Sequence, residues 1–366
     1  MYDPLSNALH GDSGALTPIY VGDHPPTQTE SFANAVANLV DLGRGGHHEL
    51  LAGGSAFGWR PPPQPAPAPS GGSGSPLSTL VGAATGLQID LLWDASVRNA
   101  ANWSAIESAV VSAAKLFTNA FTDHVTLNIA VGFGEVAGSA ISGGSVGQSE
   151  SLGYITGYQT VEQALSNADS AFLQSHGSST GVLADQALAS ANFFVTGAEA
   201  KALGLISATA GGTDGYIGLS AAANLLWFPA NGGTLGSGQY DAVGIAAHEL
   251  SEVLGRMGMQ GQSLGSYAHV YTALDLFRYS GPNSPALSPG GGYFSINGGA
   301  SVLNTFNNPS NGGDSADWAS SSANRSDAFD AFATPGVVDS LPTADFYAVA
   351  ALGYHLSATT PAAITA

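Results

Sequence analysis

The chain predicts an α/β fold of the α+β kind: a mixed sheet covered by helices, one of them deeply buried, with an irregular C-terminal subdomain. Three observations carry this expectation. Residues 87–133 read strand, helix, strand; an apolar helical pattern occupies 242–256; and beyond about residue 280 periodicity gives way to Gly, Asn, Ser and Asp.

Residues 1–85 are expected to form a flexible extension, punctuated by Pro25-Pro26, Pro61-Pro62-Pro63 and Ser70-Gly71-Gly72-Ser73-Gly74-Ser75-Pro76. Within it Phe32, Val36, Leu39 and Val40 predict one short helix over 29–42. The main domain is placed at 86–356, followed by a polar tail at 357–366. Leu87–Trp93 predicts its first strand, and Ile106, Val110, Ala113 and Phe117 recur at helical intervals across 103–121. Val125–Phe133 alternates as a second strand. Further helices are expected at 158–174, 182–191 and from Thr196, and a further strand at 216–219. The buried helix should run from Ala242 to Arg256, with glycines at 258 and 261 beyond its end. Tyr293–Ile296 predicts a strand within the irregular region, and Ala344–Tyr354 a last helix.

Composition excludes some functions. A net charge of −19 with eight Lys+Arg leaves almost no cationic surface for phosphates, which argues against nucleic-acid binding. Cysteine is absent, so any metal must take His and carboxylates. No apolar run is long enough to predict a transmembrane segment, and Met1-Tyr2-Asp3-Pro4 lacks the features of an N-terminal signal peptide. The Ser-, Gly- and Ala-rich, weakly charged composition nevertheless suggests an extracellular protein, exported through a C-terminal signal, with a cytoplasmic protein as the alternative.

The most chemically pointed stretch is His248-Glu249-Leu250-Ser251-Glu252, a variant of the HExxH zinc helix in which the second histidine is a glutamate. His248 and Glu252 lie one turn apart on one helical face, and zinc accepts carboxylate oxygen beside imidazole nitrogen. Glu249 would then serve as general base toward water, the chemistry of peptide hydrolysis. An anionic ligand in place of a neutral one predicts an alkaline-shifted activity profile. Val243, Ile245, Ala246, Ala247, Leu250, Val253 and Leu254 make the rest of this helix apolar, and a buried helix carrying one His and two Glu needs partners for them.

The neighbouring motifs add a resemblance. The helix ending in Gly255-Arg256, the segment Asp275-Leu276-Phe277-Arg278-Tyr279-Ser280, the run Val125–Glu135 and Gly313-Asp314-Ser315-Ala316-Asp317-Trp318 together resemble a bacterial family of secreted, zincin-like metalloproteases with an HExxE helix, distantly related to metzincins. The resemblance covers roughly 86–356. It implies a zinc-dependent endopeptidase with a protein or peptide substrate. The position that carries the third histidine of metzincins is Gly258 here, so the third ligand must come from elsewhere. Asp275 is the first choice and His269 the second; Asp275 also reads as a structural partner of Arg256 or Arg278. Tyr279 is placed by the resemblance beneath the metal, where it could stabilise an oxyanion, and reads otherwise as a packed tyrosine.

Other clusters carry less. His47-His48-Glu49 could cap a metal as a latency device but reads more simply as an exposed polar triplet. Asp314, Asp317, Asp327 and Asp330 could bind Ca2+ through oxygen ligands, against a plainer reading as solvated loop aspartates. Gly143–Gly147 and Gly261–Gly265 match a serine-hydrolase elbow without the strand and helix that such an elbow needs. The rival readings for the whole protein are an inactive zincin-like pseudoenzyme and an adhesion or surface protein.

Overall fold

The computed structural model describes residues 78–141, 144–168, 172 and 188–358, together with the backbone of three strands, Thr17–Val21 (β1), His48–Leu51 (β2) and Ala363–Thr365. The helix expected at 29–42 lies outside the described residues, as does most of the one expected at 182–191. Alternation of side chains builds the sheet. In β4 (Gln88–Trp93), which follows β3 (Ser78–Val81), Ile89, Leu91 and Trp93 are buried while their neighbours are half-exposed, and β5 (Thr126–Phe133) repeats the pattern through Leu127, Ile129 and Val131. The expected first strand, helix and second strand are all present. A short helix α1 (Ala95–Arg98) precedes α2 (Trp103–Ala120), whose predicted stripe of Ile106, Val110, Ala113 and Phe117 is fully buried.

The sheet continues with β6 (Ser145–Gly157), β7 (Asn192–Thr196), β8 (Gly215–Leu219), β9 (Gln262–Leu264) and β10 (Tyr267–Tyr271). Its strand order is β9-β10-β7-β6-β8-β5-β4-β3, with β1 and β2 both paired to β6, ten strands in all. β4, β5 and β8 run parallel to one another, while β6 is antiparallel to β8 and to β7. The sheet is therefore mixed, as the sequence predicts. Neither elbow-like motif forms an elbow: Ser145 opens β6 and Ser263 lies within β9, so neither serine sits on a turn from a strand into a helix.

Two helices follow β6 and β7: α3 (Tyr158–Ala168), shorter than predicted within the described residues, and α4 (Gly197–Ala202), whose Thr196 hydroxyl caps Glu199 N–H at 3.1 Å. The motif helix is α5 (Ala242–Val253), capped by Asp241 Oδ1 on Val243 N–H at 3.1 Å and buried at all twelve positions. It ends three residues before the predicted Arg256, in a turn where Gly255 takes φ +118°, a conformation that favours glycine. α5 packs between α2 and the sheet at β6 and β8.

The C-terminal region is less irregular than its composition suggests. Four short strands, β11 (Arg278–Gly281), β12 (Ser284–Pro285), β13 (Gly292–Phe294) and β14 (Asn304–Phe306), form a small antiparallel sheet in the order β12-β11-β13-β14. Trp318 packs against Phe294 and Phe306 at centroid distances of 5.7 and 5.1 Å, tying the glycine-rich stretch to an aromatic core. The last helix, α6 (Thr343–Ala350), is shorter than predicted. Among the described residues no helix is long and apolar enough to cross a membrane.

Candidate metal centre

α5 brings His248 and Glu252 together by its own periodicity, with His248 Nε2 3.3 Å from Glu252 Oε1. A third group joins them from 65 residues beyond Glu252: Asp317 Oδ1 lies 3.4 Å from the same Nε2. His248, Glu252 and Asp317 are fully buried, and among the described residues they are the one group of three metal-capable side chains whose ligand atoms all lie within 4.8 Å of one another.

The third residue is neither Asp275 nor His269. Asp275 Oδ2 accepts the backbone N–H groups of Met259, Gln260 and Thr272 at 2.9, 2.9 and 3.0 Å. That carboxylate fastens the turn after α5 to the segment before β11, the structural role that the sequence left open. His269 is exposed on β10 with φ +53°. Tyr279 is buried in β11 of the small sheet, its ring 6.5 Å from that of Tyr293. Burial pushes its phenol up to about 12.

The segment that brings in Asp317 passes Gly258. A Cβ there would stand 3.1 Å from Ser315 Oγ and 3.6 Å from Ala316 Cβ, so the 315–317 segment runs close past this position. Two arginines hold that segment: Arg278 Nη2 donates to Ser315 O, and Arg256 Nη1 reaches Ala316 O at 3.4 Å and Asp317 Oδ1 at 2.5 Å. Trp318 fixes its other end by donating Nε1–H to Asp345 at 2.7 Å. Asp317, Asp327 and Asp330 are thus buried groups rather than solvated loop aspartates.

The partners of the cluster define its chemistry. His248 Nδ1 lies 2.7 Å from Ala328 O, and since a carbonyl only accepts, Nδ1 carries a proton. Nε2 is left facing two carboxylate oxygens without making a hydrogen bond, and Asp317 Oδ2 is likewise buried without a partner among the described residues. Glu252 Oε2 accepts the Ser149 hydroxyl of β6 at 2.6 Å, and its Oε1 lies 3.5 Å from Arg256 Nη2. Arg256 is held in turn by Ser251 Oγ at 2.7 Å and by the Phe329 ring, 4.3 Å from its central carbon.

Glu249 is fully buried on the β6 side of α5, where a Cβ on Gly147 would meet its Oε1 at 2.5 Å. Burial, then the charges of Glu252 and Asp317, push its carboxyl well above the usual carboxylate range, with Arg256 opposing. Burial also raises Asp317, against the pull of His248 and Arg256. A bare lone pair on imidazole nitrogen opposite two carboxylates is electrostatically unfavourable, and either a proton on that nitrogen or a cation among the three groups relieves it. Ligands about 2.0–2.1 Å from a tetrahedral ion stand about 3.4 Å apart, the separation found here on two edges. The residues fit a divalent cation of that size without singling out zinc.

With this geometry in view the chain was compared with protein-family models, with curated proteins and with solved structures, and none of them matches it.

Proposed function

We propose that the protein is a zinc-dependent endopeptidase of zincin-like type, with His248, Glu252 and Asp317 as metal ligands and Glu249 as general base. The carrying observation is the unpartnered His248 Nε2 aimed between two buried carboxylate oxygens one tetrahedral edge away. The bound ion would supply Lewis-acid polarisation of the scissile carbonyl and of water. The chain's own groups do the rest. Ala328 O fixes the imidazole tautomer, and Ser149 and Arg256 orient Glu252 and Asp317. Glu249, one residue along the helix from His248, takes the proton from the attacking water and returns it to the leaving amine nitrogen.

One observation favours a second reading, a metal-binding or metal-free pseudoenzyme. Arg256 already offsets part of the carboxylate charge, and the entire cluster is closed to solvent. Metal analysis and a casein assay separate the two. The peptidase reading expects one chelatable zinc per chain and hydrolysis that Glu249→Gln lowers by about 10²–10⁴ with zinc retained. Zinc without hydrolysis leaves the pseudoenzyme, and no zinc in the wild-type chain refutes both metal readings.

A further inference from the structure

β6 is the strand that faces the cluster: Ser149 binds Glu252, and Gly147 lies under Glu249. Its two edges are occupied unevenly. β8 pairs with residues 147–151 and β1 with 151–155; β7 pairs with 153–157 and β2 with 145–149. Ser149 pairs with both β2 and β8, so these two lie on opposite edges. The same logic at Gly153 puts β1 and β7 on opposite edges, and the sheet order sets β7 against β8. β2 therefore covers the stretch of the β7 edge that β7 itself leaves open, and that stretch runs beside α5 and the metal cluster.

We infer that His48–Leu51 is an internal occupant of a peptide-docking edge, shutting the cluster until an extended peptide takes its place. The inference rests on the peptidase reading for the cluster's purpose. The pairing itself is independent of it: four residues run antiparallel to β6 in the register His48 to Ser149, Glu49 to Gln148, Leu50 to Gly147 and Leu51 to Ser145. An open sheet edge is a template for any extended chain, because backbone groups supply the affinity whatever the side chains. A four-residue ladder is a small hold, with an irregularity in its register between Leu50 and Leu51.

Twenty-six residues separate Leu51 from Ser78 in β3, the far edge strand of the sheet. From β2 to β3 is five strand spacings, about 24 Å, whereas a chain of that length reaches up to about 86 Å. β2 can thus leave β6 while β3 stays paired. Because β2 belongs to the same chain, a competing peptide must match an intramolecular effective concentration on the order of millimolar.

The test uses the full chain carrying Glu49→Pro and Leu50→Pro. Neighbouring strand residues direct their N–H groups to opposite edges, so one of the two prolines removes a donor to β6. Hydrogen exchange is followed at the Ser145–Ser149 amides, with zinc removal by a chelator and casein hydrolysis measured in parallel. Expected are exchange and zinc removal at least about tenfold faster than in the unaltered chain, reversed by a millimolar peptide of residues 45–53. Should the proline chain not fold, a protease recognition site inserted between Gly53 and Gly54 and cut in the folded protein gives the same readout. Unchanged protection, or protection indifferent to the peptide, overturns the inference. Restored protection with no zinc and no hydrolysis in either form upholds the displaceable strand and instead defeats the peptidase reading.

Discussion

Asp275 and Asp317 are both fully buried aspartates within reach of an arginine, yet the chain treats them in opposite ways. The turn around Asp275 points three backbone N–H groups at one oxygen, so the chain itself supplies most of what a buried carboxylate requires. The segment around Asp317 delivers Oδ1 both to Arg256 and to within 3.4 Å of an imidazole nitrogen that makes no hydrogen bond, while each aspartate leaves its other oxygen, Oδ2 in Asp317 and Oδ1 in Asp275, without a partner among the described residues. Burial and charge do not distinguish a ligand from a clamp. What sets Asp317 apart is that its carboxylate converges with His248 and Glu252 on one point, as Asp275 does not.

Exchanging each carboxylate for its amide breaks the comparison most sharply. Asp317→Asn should raise the dissociation constant for zinc by more than about 100-fold and remove hydrolysis. Asp275→Asn should leave one zinc per chain and cost about 2 kcal/mol of stability, since the amide can keep only part of the clamp. Zinc titration against a chromophoric chelator, with urea unfolding on the same samples, checks both. Equal zinc affinity in the two variants would mean that Asp317 is no more a ligand than Asp275.

The same contrast explains what the sequence could reveal. His248, Glu249 and Glu252 were legible because helical periodicity converts a spacing of four into a shared face. β4, α2 and β5 were legible from alternation and stripe. Asp317 comes from the segment Gly313–Trp318, which carried part of the resemblance, but nothing local marks it as a ligand. Its approach is held by Arg256 and Arg278, which reach the 315–317 segment from distant parts of the fold. The one signal available was the pair of glycines flanking Gly258, namely Gly255 and Gly261, marking a chain reversal that some later segment had to fill. The thirteen-residue β6 was hidden for another reason. Its Ser and Gly content reads as loop, and burial on both faces removes the alternation that betrays a half-exposed strand.

Arg256 provides a second, smaller test of the difference between the two sites. It is fully buried against Glu252 and Asp317, so Arg256→Met strands two carboxylates in a low-dielectric interior. With metal removed by a chelator this should cost about 3–5 kcal/mol. With zinc bound the ion neutralises the same oxygens, and the cost should fall by at least about 1 kcal/mol. Urea unfolding of both proteins, with and without zinc, reads the difference. An identical cost in the two conditions would place the cation away from these oxygens.

The smallest expected effect lies at the opposite end of α5, where an acid is neither clamped nor converged upon. Asp339 packs over the first turn, a Cβ on Gly244 lying 2.7 Å from its Cγ, and its own N–H donates to Asp241 Oδ2 at 3.2 Å. Burial, then the charges of Asp241, Asp327 and Asp330, push its carboxyl up to about 8. An unfolded aspartate titrates near about 4, so between these values the folded chain holds a proton that the unfolded chain has lost. Stability should therefore fall as pH rises from about 4 to 8. An amide at this position mimics the neutral acid and cannot titrate. Asp339→Asn should accordingly flatten the decline, with an advantage over the wild type that is small at about pH 5 and about 1 kcal/mol or more at about pH 8. Unfolding in chelator at the two pH values isolates this acid from the metal ligands, and parallel slopes for both proteins would show that Asp339 ionises freely in the fold.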